Sequence, residues 1–138
     1  MEVVLDSSVA LAWALPDETS RRADRLLAEA SGKSVFWVPA LWWYEVANAL
    51  TMAKRRGRLA EADRARTIGL YGMLPIQADS TLDVNAIWRF HTLAEDYALS
   101  AYDAAYLELA LRRGLRIVTF DKRLISAARK TGVRVVRP

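Results

Sequence analysis

Four short apolar runs punctuate the chain at wide intervals: Val3-Val4-Leu5, Val35-Phe36-Trp37-Val38, the stretch Arg116-Ile117-Val118-Thr119-Phe120, and residues 133–136. They are rich in β-branched residues and nearly free of polar interruption, the pattern of strands buried on both faces of a parallel sheet. Between them, apolar positions recur at helical spacing. Ala23, Leu26, Leu27 and Ala30 line one face of a helix expected over residues 19 to about 30, with Arg21, Arg22 and Arg25 facing outward. A shorter helix is expected over residues 9–15, capped by Ser7 or Ser8 and stopped at Pro16, with Asp17 capping its successor. Residues 31–34 read as a loop. Pro39 suits the first turn of a helix running to about Arg56, with Gly57 at its C′ position. Further helices are expected from Glu61 to about Tyr71, over residues 83–97, over residues 100–113 with Gly114 behind, and over residues 121–130 with Gly132 as the stop. Pro75-Ile76-Gln77-Ala78 reads as an edge strand. Strands alternating with helices predict an α/β fold, a parallel sheet with helices on both faces.

Composition narrows the class. The 138 residues fit one domain, 53% of them are hydrophobic, and the mean hydropathy of +0.03 is that of a globular chain. There is no cysteine and one histidine, His91, so disulfides, thiol catalysis and cysteine-rich zinc sites are excluded and a histidine triad has little to draw on. A cysteine-free chain suits a reducing cytoplasm. The N-terminus carries Glu2 and Asp6 and lacks the basic region of a signal peptide, and no apolar run is long enough to span a bilayer. A net charge of +4 and a pI near 9.7 favour a polyanionic partner.

Four carboxylates carry the candidate chemistry. Asp6 ends the first strand, at the carboxyl edge where open α/β sheets bind ligands; taken alone it reads as a helix N-cap. Asp121 stands in the same relation to the strand at residues 116–120, with the same cap reading. Asp103 falls in the first turn of the helix after Ser100, where Ser100-Ala101-Tyr102-Asp103 also matches a capping box, although glutamate or glutamine is preferred there. Glu45, in the second turn of its helix, shares a mostly apolar face with Leu41, Trp42, Asn48 and Ala49 and caps nothing. Parallel-strand topology puts all four at one edge of the sheet. Clustered carboxylates repel unless protonated or neutralised, and a hard cation such as Mg²⁺ or Mn²⁺ neutralises them while leaving room for a phosphate. Acids, Mg²⁺ and a basic surface together point to phosphodiester hydrolysis. The Thr119 hydroxyl can turn toward the same cleft.

These segments resemble a known family. Val3-Val4-Leu5-Asp6-Ser7-Ser8, Tyr44-Glu45-Val46-Ala47-Asn48, Ser100-Ala101-Tyr102-Asp103-Ala104-Ala105-Tyr106 and Thr119-Phe120-Asp121 are similar to the acidic motifs of PIN-domain ribonucleases, most of all the VapC-type toxins of toxin–antitoxin pairs. The resemblance covers essentially the whole chain, in order. It implies a three-layer α/β/α sandwich with a mainly parallel sheet and Mg²⁺- or Mn²⁺-dependent RNA cleavage. It also implies metal ligation by Asp6, Glu45, Asp103 and, more loosely, Asp121, with supporting hydroxyls at Ser8 and Thr119. A homodimer and an antitoxin whose tail covers the cleft follow from the same resemblance. Other readings fare less well. An Asp-x-Asp phosphotransferase needs an aspartate where Ser8 stands, and a receiver domain needs an aspartate after another strand, where Pro39 follows Val38 instead. The remaining alternative is a non-catalytic RNA-binding or regulatory protein on the same fold. Lys122 and Arg123, beside Asp121, are the first candidates for RNA contacts, followed by the basic run Lys54-Arg55-Arg56; solvated helix ends explain the same charges. Trp13, Trp37, Trp42 and Trp43 are expected in the core or an interface, and His91, flanked by Trp88 and Glu95 at helical spacing, is expected to be structural.

Overall fold

The computed structural model describes residues 1–15, 21–30 and 32–136; the expectations placed on Pro16, Asp17, Thr19 and Ser31 lie outside these. In chain order the elements are β1 (Glu2–Leu5), α1 (Ser7–Ala14), α2 (Arg21–Glu29), β2 (Val35–Val38), α3 (Leu41–Arg55), α4 (Glu61–Met73), β3 (Ile76–Ala78), α5 (Val84–Tyr97), α6 (Ala101–Arg113), β4 (Arg116–Val118), α7 (Lys122–Lys130) and β5 (Val135–Val136).

The strands form one sheet in the order β3-β2-β1-β4-β5, and every pairing is parallel. β1 lies at the centre, and Val3, Val4 and Leu5 are wholly buried because both faces are covered. Parallel crossovers are right-handed. Connections from β1 to β2 to β3 therefore lay α1–α4 on one face, and the returns from β3 to β4 to β5 lay α5–α7 on the other. The packing agrees: α1 contacts α2, α3 and α4, while α6 contacts α5, α7, β1 and β4. The result is the expected α/β/α sandwich. The direction of winding reverses between β1 and β4, which opens a crevice at their carboxyl ends.

The first layer is tied by aromatic residues with polar handles. Trp13 Nε1 donates to Ala23 O at 2.7 Å, and Tyr71 Oη donates to Ala10 O at 2.7 Å, joining α1 to α2 and α4. Trp42, wholly buried, meets Tyr71 edge-on at 5.6 Å. Trp13 and Trp42 are core residues as expected. Trp37 is half-buried under the Arg113 guanidinium, 3.6 Å from its ring centre, and Trp43 is largely exposed.

Several boundaries differ from expectation for local reasons. Helix α1 begins at Ser7, so Asp6, not Ser7 or Ser8, occupies the N-cap position. Strand β4 stops at Val118, two residues early, because the next backbone donors turn to side chains: Phe120 N donates to Ser8 Oγ and Asp121 N to Thr119 Oγ1. Strand β5 starts at Val135, because Val133 N donates back to Ala128 O and closes α7 through Gly132 at φ 80°. Helix α4 continues two residues past Tyr71. Helix α5 ends on Ala98 in the left-handed region at φ 52°, a position the alanine gave no sign of.

Candidate active site

Asp6 shows how the site is built. At 5% exposure it is buried at the N-terminus of α1, yet its side chain makes no capping bond. Instead Oδ2 accepts hydrogen bonds from Ser8 Oγ and Thr119 Oγ1, both at 2.6 Å. Oδ1 accepts none among the described residues. Asp6 is therefore an acid held in the β1–β4 crevice, and the cap explanation for it fails.

Asp103 is placed by α6, whose first turn is closed by Ser100: Asp103 N donates to Ser100 Oγ at 3.1 Å. The serine does the capping, so the aspartate's charge is available for other work. Asp121 does cap, with Oδ1 accepting from Leu124 N at 2.8 Å, and it begins α7 at the same edge. Glu45, half-buried on α3, has an unexpected partner: Tyr106 Oη donates to Glu45 Oε1 at 2.5 Å.

The electrostatics join these acids into one cluster. Burial pushes the Asp6 carboxyl above its ordinary pKa, and the charges of Asp103 and Asp121 push it further, against the two hydroxyls. Glu45 is raised by burial and by Asp6 and Asp103, against the hydroxyls of Tyr106 and Ser7. Asp103 is raised by burial and by Asp121, with Ser100 and Arg123 opposing. Burial first, then Asp6 and Glu45, drives the Tyr106 phenol far above its usual range, so it serves only as a neutral donor. Among the described residues no lysine or arginine forms an ion pair with Asp6, Glu45, Asp103 or Asp121. One buried and three partly buried acids outside any ion pair, one of them offering an oxygen with no donor, are a hard-oxygen donor set suited to Mg²⁺ or Mn²⁺. The four side chains are not closed into a ready-made cage: no three acids or histidines among the described residues are gathered tightly enough to enclose an ion.

The PIN domain family matches this chain over residues 3–130, a span that includes all four acids. The chain belongs to the PIN-domain family. This PIN domain is 30% identical to ribonuclease VapC3 of Pyrobaculum aerophilum, over 90% of its own length and 92% of the relative's. It is 32% identical to ribonuclease VapC9 of Mycobacterium tuberculosis, over 88% and 87%. In three dimensions it resembles PAE2754 of P. aerophilum, with a TM-score of 0.71, 24% identity and coverage of 99% and 90% of the two chains. It also resembles a toxin–antitoxin complex from Klebsiella pneumoniae, with a TM-score of 0.64, 18% identity and coverage of 99% and 97%. At these identities the structural likeness establishes the PIN fold.

The basic residues divide into two groups. Arg123 is close enough to Asp103 to oppose its raised pKa, and Lys122, at the start of α7, lines a cleft of about 550 Å³ together with Thr119, Phe120, Arg129 and Lys130. Lys54 and Arg55 are not brought to the acids. They lie on the last turn of α3, about 13 Å along the axis from Glu45 by helical rise, and Lys54 pairs with Glu61 at 3.4 Å. His91 is exposed and faces Glu95 at 3.5 Å, one turn on.

Sequence reasoning missed Tyr106 as a polar partner and missed a second set of buried charges entirely. Arg112 bonds Asp79 at 2.5 Å and Glu108 at 2.7 Å, Arg113 bonds Asp79 at 3.2 Å, and Arg89 bonds Glu108 at 3.0 Å. Both carboxylates are under 10% exposed. Burial raises the Asp79 carboxyl, but its bonds from Arg112, Thr81 and Arg113 override this and hold it below its ordinary value. The Glu108–Arg112 spacing of four was the one signal available.

Proposed function

We propose that this PIN domain is a ribonuclease, the toxin of a toxin–antitoxin pair, and that it hydrolyses RNA phosphodiester bonds at the Asp6–Glu45–Asp103–Asp121 cluster with Mg²⁺ or Mn²⁺. One observation supports the reading of the site: Asp6, Glu45 and Asp103 have raised pKa values and act on one another or on Asp121 electrostatically, and among the described residues none of the four acids is in an ion pair with a lysine or arginine. The activity rests on likeness, over about nine-tenths of its length, to proteins named VapC ribonucleases.

Asp6, Glu45 and Asp103 would hold the ion, with Asp121 contributing the oxygen its cap leaves over. A bound Mg²⁺ or Mn²⁺ would neutralise the carboxylates, polarise a phosphodiester and make water a better nucleophile. The protein's own contribution is preparation. Ser8 and Thr119 fix Asp6 through one oxygen and leave the other clear. Lys122 and Arg123, at the N-terminus of α7, supply positive charge to the RNA backbone beside the acids. Lys122 also lines a shallow depression with Tyr97, Ala98, Arg123 and Ser126, which extends the basic track. Lys54 and Arg55, on the rim of a different groove, fit a protein partner better than the scissile phosphate.

An antitoxin partner is supported by the structural neighbour from K. pneumoniae, solved as a toxin–antitoxin complex. Exposed apolar surface supports partners of the chain more generally, a second copy included. An 820 Å³ groove between α3 and α4 is lined by Trp43, Val46, Leu50 and Ile68, and Val84, Ile87 and Trp88 stand exposed on α5. Among the described residues no helix is long and apolar enough to cross a membrane. A non-catalytic role on this fold is not favoured, because the chain is similar over about nine-tenths of its length to proteins named ribonucleases.

Purified protein should cut single-stranded or loop RNA with Mg²⁺ or Mn²⁺ and stop when the ion is chelated. Asp6→Asn should lose more than about 100-fold in rate, beyond the loss expected for a supporting residue. With contaminating nuclease excluded, wild-type cleavage that persists in excess chelator refutes the metal, and cleavage by Asp6→Asn at the wild-type rate refutes the site.

A further inference from the structure

Tyr106 is the fully buried aromatic of α6, one turn after Asp103. Its hydroxyl reaches Glu45 on α3, 61 residues away in sequence. Helices α3 and α6 lie on opposite faces of the sheet, so this bond crosses the carboxyl edge and ties the two layers where the acids meet. Glu45 has the most freedom of the four acids: three side-chain torsions, a half-exposed setting, and no cap or lysine to steady it, only the hydroxyls of Tyr106 and, to a smaller extent, Ser7. Asp6 is clamped by two hydroxyls, Asp121 by its cap, and Asp103 by the short side chain and the Ser100 turn. Left to itself, a glutamate forfeits much of its rotamer freedom when it is ordered. A donor fixed by a rigid, close-packed ring removes most of that freedom before any ligand arrives.

We propose that Tyr106 is the positioning residue for Glu45: its hydroxyl holds Oε1 so that the carboxylate is presented to the divalent cation beside Asp6 and Asp103. Tyr106 does not touch the ion or the RNA. It acts through Glu45, as hydrogen-bonded outer partners orient ligands in metal sites. The idea rests on the cation-binding reading of the cluster, and it extends that reading to a residue whose ring otherwise serves as core packing.

The test is Mn²⁺ affinity, followed by calorimetry or electron paramagnetic resonance in the absence of RNA. Tyr106→Phe keeps the ring and removes only the hydroxyl. It should weaken Mn²⁺ binding by about 10- to 100-fold. Ile117→Val, a buried trim in β4 that alters no hydrogen bond, controls for general loosening of the core and should bind as the wild type does. A second measurement needs no variant. The Cζ resonance of ring-labelled Tyr106 in the wild type should shift on saturation with Mg²⁺, because the oxygen it bonds belongs to a ligand. Wild-type affinity in Tyr106→Phe, an equal loss in Ile117→Val, or a Tyr106 signal indifferent to Mg²⁺ each overturns the proposal. A wild type that binds no Mn²⁺ at all overturns the cation-binding reading with it, so the two failures are distinguishable.

Discussion

At the scale of single residues, the acids separate into those whose charge is stored and those whose charge is spent. Asp121 spends one oxygen on the backbone of α7. Asp103 does not, because Ser100 closes the turn for it. Capping and charge at the start of α6 can therefore be removed independently. Asp103→Asn deletes a charge raised in pKa by burial and by Asp121, while losing about 0.3–1 kcal/mol of favourable interaction with the helix dipole. The relief should match or exceed that loss, leaving the metal-free variant as stable as the wild type or more so at neutral pH. Ser100→Ala keeps the charge and loses the cap, and should be destabilised by about 1 kcal/mol. Urea titrations of both in chelator read the contrast, and the opposite order would make Asp103 a structural cap. Sequence alone could not separate the two roles, because Ser100-Ala101-Tyr102-Asp103 satisfies both descriptions. The Thr119 hydroxyl was legible from its place two residues before Asp121, and that of Ser8 through the family resemblance. The Tyr106 bond was not: a tyrosine on the buried stripe of a helix looks like core, and its partner is 61 residues away.

Among the elements, strands were easier to read than their ends. Unbroken β-branched runs located β1, β2 and β4, and alternation with helices implied the parallel sheet. The ends moved where side chains captured backbone donors, as Ser8 and Thr119 do after Val118. The α6–β3 junction was illegible for a different reason. Asp79 follows a three-residue edge strand, and its partners Arg112 and Arg113 lie more than thirty residues on. Arg112 bridges two carboxylates that are nearly out of solvent, with side-chain exposures of 8% and 6%. Burying two anions is unfavourable unless each is paired. Arg112→Met should therefore destabilise by about 3 kcal/mol, the low end for a broken buried pair, because Arg113 and Arg89 remain to compensate in part. Denaturant unfolding measures this, and a change under about 1 kcal/mol would reduce the network to the rank of a surface pair. Mn²⁺ affinity should be unaffected, since none of these residues contributes to the electrostatics of the crevice acids.

Over the whole molecule, two groups of acids pull stability in opposite directions with pH. Asp6, Glu45 and Asp103 have folded pKa values raised above their unfolded ones. The folded state then binds more protons than the unfolded state, so these groups destabilise at neutral pH and that penalty disappears as pH falls through the raised values. Asp79 is the reverse: its depressed value contributes stability that is present above the ordinary carboxylate range and is lost as pH falls through the folded value. Metal-free protein should consequently melt higher as pH falls from neutrality toward the raised carboxyl range, then lose stability on further acidification as Asp79 is protonated. A divalent cation held by the same three acids, as proposed, would compete with protons for them. At a hundred times its dissociation constant it should add about 2.7 kcal/mol at neutral pH, and less as pH falls toward the raised carboxyl range. Melting curves across this range, in chelator and in Mg²⁺, should therefore converge toward acid and diverge toward neutral. A chelated protein that only loses stability as pH falls from neutrality, or a Mg²⁺ increment that does not shrink toward acid, would mean that the crevice acids are not the cation's ligands.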